Sequence, residues 1–70
     1  MNTYSISHDE QKRSWCVHFE SAEGAVEVKC FKERDAAIGY GRWLAQTSTY
    51  GRLTIRERDG TTQAVRFGPG

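Results

Sequence analysis

The sequence has no long hydrophobic run, and it does not begin with a secretion signal. No apolar stretch approaches the roughly 18 residues that a membrane-spanning helix requires. Residues 1–6 contain neither the basic start nor the apolar segment that a secretory signal peptide combines. These absences predict a protein without a membrane span or a secretion route, and we expect it in the cytoplasm.

Net charge and cysteine are also scarce. Ten Lys and Arg side chains stand against nine Asp and Glu, for a formal net charge of +1, so the chain as a whole indicates no strongly charged partner. Cys16 and Cys30 are the only cysteines and allow one bridge at most. Without a secretion signal, such a pair is typical of reduced thiols. We therefore expect both cysteines to be free.

The composition is that of one small folded domain, which we place over residues 1–70 with a loose C-terminal tail at 67–70. The chain is 37% hydrophobic and 27% charged, as soluble globular domains are. A domain of this length buries only about 60% of the surface of its unfolded chain. Because the core is thin, we expect the protein to gain stability by associating with a second copy.

Three strands are predicted in the first half of the chain, because apolar and polar residues alternate there. They cover residues 4–8, 15–20 and 25–30. A first hairpin that sets Ile6 opposite Val17 turns the apolar side chains of both strands to one face.

The second hairpin is predicted with a four-residue turn. Its register pairs Val17 with Val28 and Trp15 with Cys30 on the apolar face. Cys16, which points the other way from its strand, then lies on the face opposite Cys30. The two cysteines are therefore predicted to be separated by the sheet.

A single helix is predicted over residues 33–47. The residues that recur at helical spacing and form its sheet-facing side are Ala37, Tyr40, Gly41 and Leu44. Gly41 lies in this stripe, where the helix backbone approaches the sheet. Gly39 lies on the far side, where a glycine costs about 1 kcal/mol relative to alanine, and nothing within the fold explains it.

Two more strands follow the helix, and Asp59 and Gly60 between them are the strongest hairpin signal in the sequence. A three-residue loop with a bulge pairs Ile55 with Val65, whereas a strict two-residue turn would send Val65 outward. Burial favours the bulged form. The predicted fold class is α+β: an antiparallel sheet, in the order strand, strand, strand, helix, strand, strand, with one helix packed on one face.

The residue types of catalysis and metal binding are present in an arrangement that favours neither. Cys16, His18 and Glu27 are predicted on one face and are suited to be nucleophile, base and orienting carboxylate. An open sheet face supplies no oxyanion donors, however. The close cysteine spacing of a zinc site is also missing. We therefore predict no enzymatic activity, no metal and no cofactor.

Arginines cluster in the C-terminal hairpin. Those predicted to share its outer face are Arg52, Arg56, Arg58 and Arg66. Arginines on a sheet face contact phosphates in nucleic-acid complexes, but charged side chains also protect exposed strands from pairing. A nucleic-acid-binding domain is therefore the alternative function. A third option is contact between this basic part of one chain and the acidic N-terminal part of another.

The first hypothesis rests on Trp43, Ile38 and Gly39. Gly39 is predicted on the outer side of the helix, whereas Trp43 and Ile38 flank its buried stripe on opposite edges. Tryptophan is enriched at binding hot spots, and Gly39 permits close approach of a partner. We predict a non-enzymatic interaction module that binds protein, including a second copy of itself. An inhibitor of a host complex, encoded by a phage or mobile element, belongs to this class. The alternative is that Trp43 only covers the edge of the sheet.

Two resemblances accompany this interpretation. Residues 15–19, 26–37 and 58–60 resemble a family of short bacterial proteins of unknown function. This likeness covers most of the chain and implies the strand-strand-strand-helix-strand-strand plan, but no activity. Lys32 departs from the Ser, Thr or Asp expected before the helix.

The second resemblance is to Apetala-type and integrase-arm DNA-binding domains, on the Phe, acidic residues and Ala pair of residues 31–40. In those domains a three-stranded sheet contacts DNA and a helix packs behind it. The resemblance implies DNA contact by the outer face of the first three strands, which here carries Cys16, His18, Glu20, Glu27 and Lys29. This face is too acidic for phosphates, which ranks the resemblance second.

Overall fold

The computed structural model describes residues 2–47 and 50–68. Its elements are β1 (Asn2–Asp9), β2 (Ser14–Ser21), β3 (Gly24–Phe31), α1 (Arg34–Gln46), β4 (Gly51–Arg56) and β5 (Thr62–Phe67). The predicted α+β class is confirmed, and the helix differs from its predicted range by one residue at each end. Within the described residues, no helix is long and apolar enough to cross a membrane.

The five strands form one mixed sheet, in the spatial order β3-β2-β1-β4-β5. The prediction of a purely antiparallel sheet is wrong, because β4 pairs with β1 in parallel. The helix is the reason. Its 13 residues span about 20 Å and return the chain to the end of the sheet from which β3 set out. A strand after such a crossover runs parallel to β3, and hence to β1.

The first hairpin has its predicted register, with Ile6 opposite Val17 and His8 opposite Trp15. The buried apolar residues that form the core between sheet and helix are Ile6, Trp15, Val17, Ala37, Leu53 and Ile55. Gly41 lies on the buried side of α1, where an added Cβ would be 3.0 Å from the side chains of Ile6 and Leu53. The predicted close approach of Gly41 to the sheet is confirmed.

The second hairpin departs from its predicted register at a bulge in β3. His18 pairs with Glu27, as expected, but Val17 pairs with Lys29. Val28 is therefore an extra residue in β3, and it is 42% exposed instead of buried. A bulge cannot be recognised from alternation alone, because the inserted residue is apolar like its neighbours.

The bulge reverses the faces of every β3 residue after it. Cys30 pairs with Cys16 and Phe31 with Trp15, whereas Cys30 was predicted opposite Trp15. The two cysteines therefore lie on the same face of the sheet, and their predicted separation is wrong. Lys29 moves from the outer face to the helix face by the same reversal.

The C-terminal hairpin has the predicted faces in a different register. Ile55 pairs with Gln63, and Leu53 pairs with Val65, so the predicted pair of Ile55 with Val65 is wrong. The connection is five residues long, 57–61, which shifts β5 by two positions and preserves which side chains face the helix. Phe67 is the last residue of β5, and residues 69–70 of the predicted tail lie outside the described residues.

An ion pair ties the start of the helix to the end of β4. Nε of Arg34 donates to Oε1 of Glu57 over 2.8 Å, and Nη2 of the same guanidinium donates to Oε2. These hydrogen bonds lower the pKa of Glu57 and raise the pKa of Arg34. The side of α1 that bears Arg34 is thereby held toward β4, which leaves the opposite flank of the helix toward β3.

Candidate functional site

The far side of α1 exposes a tryptophan. Trp43 is 59% exposed, and Gly39, one helical turn before it, is exposed as well. The structure thus brings together two of the three residues predicted to bind protein. Trp43 therefore presents more than half of its surface to solvent on a helix that otherwise packs against a sheet.

Ile38 is not part of this surface. It is partly buried and packs against the core. Five residues separate it from Trp43, which places the two about 140° apart around the helix axis. The sequence interpretation put them on opposite edges of the buried stripe, and of the two it is Trp43 that is exposed.

Two further aromatic rings continue the surface beside Trp43. The ring of Tyr40 lies 6.2 Å from that of Trp43 and 5.5 Å from that of Phe31, between ring centroids. The Lys29 ammonium lies over both inner rings, 5.3 Å from the centroid of Phe31 and 5.6 Å from that of Tyr40. We call these four residues and Gly39 the aromatic surface.

Sequence reasoning missed three residues of the aromatic surface. Tyr40 was predicted on the sheet-facing side of the helix, and it does pack half-buried against the core. Its spacing of three from Trp43 also places the two side chains next to each other on the helix. Phe31 and Lys29 depend on the bulge, which turns Lys29 to the helix face. No pattern in the sequence signals that reversal.

Gly39 is not required by the fold. Among the residues that the structure describes, none has a heavy atom within 4 Å of an added Cβ at this position, so there is room for a side chain. Glycine in a helix interior costs about 1 kcal/mol relative to alanine. The gap that Gly39 leaves beside Trp43 therefore has no structural reason inside the molecule.

The arginines of the C-terminal hairpin divide into two groups. Arg52, Arg56 and Arg66 lie on the sheet face away from the helix, and Arg52 is directly opposite Arg66. None of these three forms an ion pair with a residue in the described ranges. Arg58 lies in the loop after β4 and contacts Glu10 over 3.2 Å and 3.3 Å. Three of the four predicted arginines therefore share one face.

The two cysteines are joined by a disulfide bond, so the expectation of free thiols is wrong for this structure. The bond links β2 to β3 on the face away from the helix. Cys16 is only 1% exposed, and the carboxylate of Glu27 lies beside the pair. In the bonded state, Cys16 has no thiol to act as a nucleophile.

Glu27 is held by an ion pair on this outer face. The Nζ of Lys12 donates to its two carboxylate oxygens over 2.8 Å and 3.0 Å. The carboxylate raises the pKa of Lys12 through these hydrogen bonds. His18 lies opposite Glu27 in the strand pairing, so both residues lie on the same face of the sheet as the disulfide.

Comparisons with protein-family models, with curated proteins and with solved structures found no match to this chain. The two resemblances drawn from the sequence therefore stay predictions.

Proposed function

We propose that the protein is a non-enzymatic interaction module that binds another protein through the aromatic surface. The observation that carries this proposal is the 59% exposure of Trp43 within a contiguous row of aromatic rings. Tryptophan and tyrosine supply most of the energy at protein interfaces, because they bury large areas at a small cost in side-chain entropy. Within this row Trp43 is exposed, whereas Tyr40 and Phe31 are half-buried against the core, so the area open to a partner is mainly that of Trp43 and the edges of its two neighbours.

A second copy of the chain is the partner to test first. A 70-residue domain has a thin core, and association is one way in which small domains gain stability. A two-fold contact would place the same surface of both copies together. Gly39 supports this arrangement. The gap that it leaves on the helix of one copy lets the Trp43 side chain of the other copy approach the helix backbone.

Replacement of Trp43 by alanine is expected to weaken binding of another protein by about 30-fold, the usual effect of removing a hot-spot side chain worth about 2 kcal/mol. A two-fold dimer loses the side chain from both copies, so its association should weaken by about 900-fold. Self-association is measured by light scattering and sedimentation equilibrium over a concentration series. Binding of other proteins is measured by quantitative pull-down with wild type and variant. Tyr50, an aromatic residue of similar exposure (54%) outside α1, provides the control variant Tyr50→Ala, which should bind like wild type.

Gly39→Ala is the second variant in this test. It should raise the free energy of unfolding by about 1 kcal/mol, since the added methyl group has open space. It should also weaken association, since the methyl group keeps the partner away from the helix. Gln46→Ala, at an exposed position of the same helix, should leave association unchanged. A wild type that stays monomeric, together with equal pull-down by Trp43→Ala, would contradict the proposal.

Nucleic-acid binding by the arginine face is the second candidate function. The specific observation in its favour is the direct pairing of Arg52 with Arg66. Like charges directly opposite each other destabilise a sheet, and a bound phosphate would relieve the repulsion. Arg56 extends the same face along β4.

If this face binds DNA, the affinity for a short duplex should fall steeply with salt. Each arginine that neutralises a phosphate contributes about 0.9 to the slope of log K against log salt. Arg52→Gln and Arg66→Gln should each lower that slope by about 1. Arg58→Gln removes the same charge from a side chain already paired with Glu10, so it should leave the slope unchanged. Fluorescence anisotropy provides the measurement, and absence of binding at low salt would exclude this candidate.

A further inference from the structure

We propose that, when the disulfide is reduced, Cys16, Cys30 and Glu27 form a binding site for a thiophilic divalent metal ion such as Zn²⁺. The sulfur atoms of the two cysteines and a carboxylate oxygen of Glu27 all lie within 4.8 Å of one another. The bulge at Val28 creates this cluster, because it turns Cys30 to the face of Cys16. The site is independent of the aromatic surface, which lies on the helix side of the sheet.

The donor set suits zinc chemically. Two thiolates and one carboxylate are ligands that Zn²⁺ takes in proteins, and they leave a fourth tetrahedral position for water. The ligands come from two adjacent strands of one sheet, which holds them close before the ion arrives. Cys16 is 1% exposed, so the thiolate from β2 is shielded from competing solvent, whereas Glu27 on β3 is exposed and open to an entering ion.

Metal and disulfide exclude each other at this site. Reduction of the bond takes two electrons and two protons from a reductant, such as a dithiol, and yields two thiols. Each thiol then loses a proton when its sulfur binds the metal. The oxidised protein keeps the carboxylate of Glu27 but has no thiolate, so it offers one ligand in place of three.

Lys12 competes with the metal for Glu27. Its ammonium group contacts both carboxylate oxygens of Glu27, which are the atoms that would face the ion. A bound divalent cation must displace this ammonium group and is repelled by its charge. Removal of the Lys12 charge should therefore strengthen metal binding. A substitution that only disturbed the fold would weaken metal binding, so the direction of the change distinguishes the two effects.

The test is a titration of the reduced protein with Co²⁺, followed by displacement with Zn²⁺. We expect the absorption bands of tetrahedral cobalt together with thiolate-to-cobalt charge transfer, and loss of both on addition of Zn²⁺. The oxidised protein should show neither. Far-UV circular dichroism of the reduced protein without metal establishes that the strands are still present during the titration.

Four variants separate this site from adventitious binding. Cys16→Ser removes one of the two thiolates and should at least halve the charge-transfer band. Glu27→Gln should raise the Kd by about tenfold or more. Lys12→Gln should tighten the Kd by about fivefold, the effect of removing one exposed charge interaction. Lys32→Gln, which removes the same charge elsewhere on the surface, should leave the Kd unchanged. Absence of cobalt bands in reduced wild type, or an unchanged Kd in Glu27→Gln, would overturn the proposal.

Discussion

Replacement of Gly51 by alanine is expected to lower the free energy of unfolding by about 3 kcal/mol or more. An added Cβ would lie 2.2 Å from the carbonyl oxygen of Ala45 and 2.8 Å from its carbonyl carbon. These are backbone atoms of α1, and Ala45 is itself fully buried. Relief would therefore require the end of the helix to move away from the first residue of β4. Domains of this size have only about 4–10 kcal/mol of total stability.

Two other glycines make the prediction sharper. Gly41→Ala should cost less, because its Cβ would meet only the ends of the Ile6 and Leu53 side chains, at 3.0 Å, and side chains can shift. Gly39→Ala should be stabilising. Urea denaturation followed by circular dichroism ranks the three variants. If Gly51→Ala unfolds at the same urea concentration as Gly39→Ala, the close contact between β4 and α1 does not exist in solution.

Reduction of the Cys16–Cys30 disulfide is expected to lower the free energy of unfolding by about 3 kcal/mol. The bond closes a loop with a sequence separation of 14, and loops of about 15 residues gain roughly this amount from cross-linking. The loss is large for a domain with a thin core. Urea denaturation with and without a thiol reductant provides the measurement, with the free thiols counted to show that the bond has opened.

The matched control is the double variant Cys16→Ser with Cys30→Ser, which should have the lower stability under both conditions. A wild type whose unfolding midpoint does not respond to reductant, although its thiols are free, would contradict the prediction. If reduced Cys16 and Cys30 bind Zn²⁺, the ion should recover much of this stability. At about 100 times its Kd, Zn²⁺ should raise the free energy of unfolding of the reduced protein by about 2.7 kcal/mol. The free energy of unfolding of the serine double variant should not change.

The faces of the first hairpin were predictable because Ile6 and Val17 lie in uninterrupted alternating segments. Its register was predictable as well, because the connection between the two strands is short, at residues 10–13, and leaves little room for a slip of two residues. The faces of the last hairpin were also predictable from alternation. Its register was not, because a five-residue loop and a three-residue loop bury Val65 equally well and differ only in which partner it meets.

The bulge lay beyond reach of the sequence, and so did the position of β4 beside β1 in the sheet. Val26, Val28 and Cys30 alternate without a break, and this pattern hides the fact that Val28 has no partner in β2. The misplaced cysteines and the misplaced Lys29 both follow from that single inserted residue. The direction of β4, by contrast, follows from the predicted helix, because a strand after a helical crossover runs parallel to the strand before it.

The candidate surfaces were predictable only in part. Helical spacing places Gly39 and Trp43 on the far side of α1 without any knowledge of the sheet. Helical spacing also places Ile38 away from Trp43. In the structure Ile38 packs against the core, whereas Trp43 is exposed. The contribution of Phe31 depends on where β3 ends relative to α1, which is a matter of tertiary packing.

The parallel pairing of β1 with β4 affects how the chain is made. The central strand is synthesised first, yet one of its edges stays without hydrogen-bond partners until a strand that starts at Gly51 has left the ribosome. Contacts between such distant segments slow folding, because a long loop must close before they form. The N-terminal hairpin and the helix are therefore made before the strand that completes their sheet, and until β4 pairs with β1 the open edge of β1 can pair with another chain.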